Sequence, residues 1–133
     1  DGGLLGLSNV LASRGLFYLG TTHGLKLAEE DFKRAYKIAS EELGNSDLAV
    51  LAPMMGMASV HLAKGEANKA LEVAKRGVEI SSKVNGPTSP DTLAVKLLLI
   101  AALNSLGRVD EAEQLYKKDQ ELLDRLMGQE NLD

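Results

Sequence analysis

The chain has 133 residues, 44% of them hydrophobic and 26% charged, the size and composition of one modest domain able to bury a core. With no cysteine, disulfide frameworks, thiolate metal sites and a cysteine nucleophile are excluded. Net charge is −4 and aromatics are only 4%, with no Trp, so neither a field for polyanions nor a base-stacking platform is at hand, and no nucleic-acid partner is expected.

The charge is uneven along the chain. Residues 1–108 carry 12 Lys/Arg against 11 Asp/Glu, whereas residues 109–133 carry 3 against 8, so the C-terminal end is the acidic part. The chain opens on Asp1 rather than Met, as expected of a processed chain or a piece of a longer one. No charged segment precedes an apolar one at the start, so no signal peptide is visible and an intracellular or organellar compartment is expected over secretion. The longest apolar run, Leu97 to Leu103, falls far short of the roughly 20 residues of a membrane span and reads as a buried helix.

Glycines reveal an internal period. Gly44, Gly86 and Gly128 are spaced by 42, as are Gly65 and Gly107. Ala28, Ala70 and Ala112 keep that interval, and so do Phe32, Ala74 and Tyr116. Three units, about 1–44, 45–86 and 87–128, would nearly fill one domain spanning 1–133.

In chain order, the first unit predicts a helix over about Leu4–Leu19, a Thr-Thr-His-Gly turn, and a helix over Lys26–Leu43. The second predicts a helix over Asp47–Lys64, stopped by Gly65. A second helix follows over Asn68–Val84, with Ala70, Leu71, Ala74, Val78 and Ser81 on one side at a 3.6-residue period. Asn85-Gly86 ends it, glycine being free to take a left-handed cap. In the third unit Ser89 is an N-cap before the first-turn Pro90, and the helix runs to about Leu106, before Gly107. Asp110 opens the last helix, with Glu111 and Glu113 favourable near its N-terminus, and it continues to Met127-Gly128. No segment alternates with period two, so no sheet is expected.

The pairs Ala28-x3-Phe32 and Ala112-x3-Tyr116 have a packing logic: a small residue lets two helices approach, and an aromatic one turn later fills the gap beside it. One helix pair cannot bury both its faces, so neighbouring units must stack. Leu106-Gly-Arg-Val-Asp-Glu-Ala-Glu-Gln-Leu-Tyr-Lys-Lys118 resembles the G-x4-A-x3-[FY] signature of the tetratricopeptide repeat family; Gly65-x4-Ala70-x3-Ala74 matches it without the aromatic. The family's ordinary repeat is about 34 residues, whereas 42 is similar to the longer kinesin-light-chain type. That type's glycine, short loop and [HS]-P-D linker is matched by Gly86-Pro-Thr-Ser-Pro-Asp91. The resemblance implies an all-α fold, a right-handed superhelical array of antiparallel helix hairpins. It also implies a non-catalytic scaffold that binds another protein. The groove-side Asn-Asn of that type is replaced here by Met55-Gly56 and Leu97-Leu98, and position 61 carries His where the family prefers an aromatic. Neither a carboxylate clamp nor acidic-cargo recognition is therefore implied.

Catalytic constellations are lacking in the sequence. His23 and His61 share no metal-ligand spacing, no serine sits in G-x-S-x-G, and there is no phosphate loop, so no cofactor, metal or turnover is expected. Two surfaces remain as candidate sites. The first is the concave face implied by the resemblance: Ser13, Arg14, Phe17, Ala52, Met55, Ser59, Leu62, Leu97, Ala101 and Asn104. Its apolar, Met-containing character suits an amphipathic helix; the alternative is that a tightly closing superhelix or further repeats fill it. The second is a basic stripe, Lys33-Arg34, Lys75-Arg76 and Lys117-Lys118, that would suit an acidic partner. Local pairing is its plainer reading, because Glu29–Lys33, Glu30–Arg34, Glu72–Arg76 and Glu113–Lys117 are all spaced i,i+4 with Glu first. As an alternative function, Leu4, Leu5, Leu7 and Leu11 would serve an oligomerisation or assembly interface.

Overall fold

The structure, a computed structural model, describes residue 11, residues 24–43 and residues 48–129. Among these residues there are six α-helices and no strand: α1 (Leu25–Leu43), α2 (Leu51–Ala63), α3 (Ala67–Asn85), α4 (Pro90–Ser105), α5 (Val109–Lys118) and α6 (Gln120–Gln129). Successive helices pack against one another, and α2 also packs against α4. The predicted Leu4–Leu19 helix, His23 and Gly44 lie outside the described residues, although Leu11 itself is helical.

Local chemistry sets the helix ends. A 3-10 turn, Leu48–Val50, leads into α2, and Pro53 then sits in the first helical turn, where a missing N–H costs nothing. The α2–α3 and α4–α5 turns are the same motif 42 residues apart. Glu66 N–H donates to His61 O at 2.7 Å and Arg108 N–H donates to Leu103 O at 2.9 Å, the six-to-one bond of a Schellman end. The residue before each donor is glycine at positive φ, Gly65 at 78° and Gly107 at 77°. The entry to α4 is as predicted: Ser89 Oγ accepts from Thr92 N–H at 3.3 Å, with Pro90 as the first helical residue. Thr92 Oγ1 donates to Gly86 O at 2.8 Å and lies 2.7 Å from the buried Ser81 hydroxyl, which ties the end of α3 to the start of α4.

Among the described residues the core forms three clusters. Leu11, Ala28, Phe32, Ala35 and Val60 make one. Ala39, Val50, Met54 and Ile80 make the second. Ala70, Leu71, Ala74, Leu99, Ala102, Leu103 and Ala112 make the third. Ala28, Ala70 and Ala112 are all buried, as the 42-residue period requires. Leu11 is buried with them, so it is unavailable to the oligomerisation surface expected of it; Leu4, Leu5 and Leu7 lie outside the described residues.

Size matching decides how helices cross. A Cβ at Gly56 in α2 would overlap the ring edge of Phe32 in α1. One interval later the same two positions hold Leu98 and Ala74, and Leu98 packs against the cluster that contains Ala74. The aromatic absent from Gly65-x4-Ala70-x3-Ala74 is thus replaced by a larger residue on the opposing helix. Gly77 is a second close contact, where a Cβ would stand 3.0 Å from Val95 Cγ1.

The last helix departs from expectation. Instead of running unbroken to Met127-Gly128, it breaks at Asp119 into α5 and α6. Asp119 holds the position of the buried Ala35 and Gly77, and its carboxylate cannot be buried alone. Lys96, immediately before the apolar run Leu97 to Leu103, donates to Asp119 Oδ2 at 2.8 Å and to Pro87 O at 2.8 Å. The two residues are only 7% and 9% exposed.

Two stability predictions arise from this packing. Gly56→Ala should destabilise by about 1–3 kcal/mol through overpacking, despite the better helix propensity of alanine. Adding Phe32→Leu should recover part of that loss; denaturant melts showing simple additivity would contradict the contact. Lys96→Ala should cost about 3–5 kcal/mol by stranding a buried carboxylate. Lys96→Met with Asp119→Ala, which copies the Met54 and Ala35 found at these positions elsewhere, should melt near or above wild type.

Candidate functional site: an apolar groove between α2 and α4

Helices α2 and α4 lie side by side and their equivalent positions face a common hollow of about 400 Å³. It is lined by Ala52, Met55, Gly56 and Ser59 from α2 and by Ala94, Leu97 and Leu98 from α4. A helical period puts 52, 55, 56 and 59 on one face, and adding 42 to the first three gives 94, 97 and 98. Met55 and Leu97 are half-buried although both are large and apolar, so the groove keeps hydrophobic surface in contact with water. Its single hydroxyl is already used: Ser59 Oγ donates to Met55 O at 3.0 Å.

The predicted concave residues divide. Ala52, Met55, Ser59 and Leu97 come together in the groove. Ala101 is half-buried on the same helix as Leu97 but does not line the hollow. Leu62 packs instead against the cluster around Ala70, and Asn104 lines a separate hollow with Val109 and Tyr116. Ser13, Arg14 and Phe17 lie outside the described residues. Gly56, Ala94 and Leu98 complete the groove; Gly56 and Leu98 are groove-side positions of the family resemblance, and Ala94 lies 42 residues after Ala52.

The basic residues Lys33, Arg34, Lys75, Arg76, Lys117 and Lys118 are all exposed. Two of the four expected pairs form, Lys33 with Glu29 at 3.1 Å and Lys117 with Glu113 at 2.8 Å. Arg76 and Glu72 instead rim a hollow that also holds Tyr36, Met54 and Met57.

A polar cluster clamps the α1–α2–α3 junction. Glu29 of α1 takes Lys64, just past the end of α2, at 2.8 Å as well as Lys33. His61 Nδ1 donates to Glu66 Oε1 at 3.0 Å, so this histidine is a packed structural group. The hydrogen bonds from Lys64 and then Lys33 hold the Glu29 carboxyl down at about 2. Among the described residues no group of three His, Asp or Glu could hold a metal ion, and no helix is long and apolar enough to cross a membrane.

The paired helices, the shared turn motif and the groove along the first helix of each hairpin agree with the family profile described as Tetratricopeptide repeat, which matches residues 50–125, more than half of the chain. The chain belongs to the tetratricopeptide repeat family. A search of curated proteins finds no match. Tetratricopeptide arrays serve in general as protein–protein interaction scaffolds and typically have no chemistry of their own, and membership of the family implies a scaffold role for this chain in that general sense. Family membership likewise implies a protein partner in general.

The clamp predicts a pH dependence. Glu29 is depressed in the folded state, so its contribution to stability is complete above about pH 4.5 and is lost as pH falls toward about 2. The melting-temperature gap between wild type and Glu29→Gln should shrink across that window. A gap that stays constant would mean the clamp does not act.

Proposed function

We propose that this tetratricopeptide array, a single domain of three helix hairpins bounded near residues 44, 86 and 128, binds an amphipathic helix of a partner protein in the groove between α2 and α4 and has no catalytic activity. The observation that carries the reading is the groove's chemistry. Its large side chains are apolar and half-exposed, and its one hydroxyl is spent on its own helix. An extended peptide laid there would bury backbone N–H and C=O groups without partners, since the lining helices already satisfy their own. A helix brings its backbone bonds with it and needs only apolar anchors, which Met55 and Leu97 are placed to receive. The basic stripe is less suited to be the main site, because Lys33 and Lys117 are already paired with carboxylates on their own helices.

Capture of partners from a cell lysate by wild type, Leu97→Asp and Lys75→Glu/Lys117→Glu separates the two surfaces. Leu97→Asp should abolish capture while circular dichroism and melting stay close to wild type. The double charge reversal should leave capture intact, and salt should weaken binding little. The opposite result, with binding lost on charge reversal and kept in Leu97→Asp, would place the site on the stripe. Turnover by the isolated chain would revive an enzymatic reading.

A further inference from the structure

Three of the chain's four methionines lie on α2, and the helical period divides them between two faces. Met54 and Met57, three residues apart, turn toward Tyr36 of α1 and Val73 of α3. Met54 is 4% exposed, whereas Met57 is half-buried. Met55 alone turns the other way, into the α2–α4 groove, where it too is half-buried. Both walls of that groove pack against the helices before and after them, so the groove belongs to the middle of the array. A small solute therefore reaches the side chains of Met55 and Met57 and is kept from that of Met54.

The groove makes no provision for a polar group at position 55. Leu97 stands 42 residues after Met55 in the facing wall, and Ala52, Gly56, Ala94 and Leu98 fill most of the rest. Ser59 carries the only polar side chain of the lining, and its hydroxyl donates to Met55 O at 3.0 Å. A thioether suits this lining, being soft, apolar and able to repack against an apolar ligand. A sulfoxide does not. It is polar, and its oxygen is an acceptor for which no lining side chain has a free donor. Water satisfies that oxygen while the groove is open; under a docked apolar helix nothing would.

We propose that Met55 is a redox modification site, oxidised by hydrogen peroxide to the sulfoxide, and that the oxidised groove no longer accepts an apolar helix face. The inference rests on the reading of the groove as a helix-binding surface and adds its regulation. The sulfur lone pair attacks one peroxide oxygen, and the S–O bond forms as the O–O bond breaks. The other oxygen takes up the proton of the transferred one and leaves as water, so sulfur loses the two electrons that peroxide gains. A thiol-dependent reductase reverses the step, removing the oxygen as water while two thiols become a disulfide. Oxidation of Met57 leaves the groove lining unchanged, because Met57 lies on the far side of α2 from Met55.

The probe is Nile red, a neutral apolar dye, titrated into the full chain before and after peroxide treatment, with fragmentation mass spectrometry locating each sulfoxide. The untreated chain should bind the dye, and Leu97→Asp should bind it at least about tenfold more weakly. In the folded chain Met55 and Met57 should oxidise several-fold faster than Met54, a difference that disappears in denaturant. Conversion of Met55 should weaken dye binding by about tenfold or more, the effect of burying an acceptor without a partner. Reductases for both sulfoxide epimers should restore it. Met55→Leu, which copies Leu97, should bind the dye as wild type does and keep binding it after peroxide. Untreated Met55→Gln should bind as weakly as the oxidised chain, with circular dichroism still helical. Met55 oxidising no faster than Met54, dye binding that survives full conversion of Met55, or an equal loss in Met55→Leu would each overturn the proposal alone. So would a helix signal lost in step with dye binding. No dye binding by the untreated chain, or binding untouched by Leu97→Asp, would overturn the groove reading and the proposal with it.

Discussion

Close approach of helix backbones at small residues is the constraint on which this array depends. Ala28, Ala70 and Ala112 recur at 42-residue intervals and are all buried, and Gly56 and Gly77 lie at crossings where an added methyl group would press on Phe32 or Val95. Helices that approach this closely can bury a long face with small side chains, which is how a chain with 4% aromatics still forms continuous core clusters. The same closeness makes the register unforgiving, because shifting one helix by a residue would put a large side chain where only Gly or Ala fits. The Schellman ends at Gly65 and Gly107 then set where each second helix starts relative to its partner, so the spacing of glycines along the chain becomes the spacing of contacts in space.

The interfaces are not identical copies. One is a large-into-small contact with an ion pair at its edge, Phe32 against Gly56 and Glu29 against Lys64. The next reverses the sizes and replaces the charges with leucines, Ala74 with Leu98 and Leu71 with Leu106. Each satisfies the same volume, but a helix suited to one is unsuited to the other, either by overlap or by leaving a void and an unpaired charge. Alternation of this kind keeps neighbouring hairpins in order in a protein whose units otherwise share one plan.

Much of the fold was legible in the sequence because its signals are local or periodic. The Ser89-Pro90 cap, the glycine stops and the buried alanines are read from residues within a few positions of one another, and repetition doubles each signal. The groove was partly legible through the family resemblance, which implies a concave face containing Ala52, Met55, Ser59 and Leu97. What was not legible depends on partners far apart in sequence. Asp119 gives no local warning that it will break a helix; the break accompanies its burial against Lys96, 23 residues earlier. Likewise Glu29 reads as a partner of Lys33 alone, and its bond to Lys64 exists only because α2 crosses α1. Leu62 and Asn104 lie seven residues after Met55 and Leu97 on the same helix faces, but the hollow ends short of them: Leu62 packs against the cluster around Ala70, and Asn104 lines the hollow beside Val109 and Tyr116.

Two of the ion pairs that link different elements, Lys96 with Asp119 and Glu29 with Lys64, act at opposite levels of burial, and this separates their roles. Lys96 and Asp119 are almost wholly enclosed, so each charge is tolerable only while the other is present, and the pair specifies geometry more than it adds stability. It holds the loop carbonyl of Pro87 and the break between α5 and α6 to one point of α4. Glu29 and Lys64 sit at an edge open to water, where a hydrogen-bonded pair is worth less but can form and part without stranding a buried charge. Both pairs lie within the array: one fixes the break between α5 and α6 against α4, and the other closes the solvent-facing edge where α2 crosses α1.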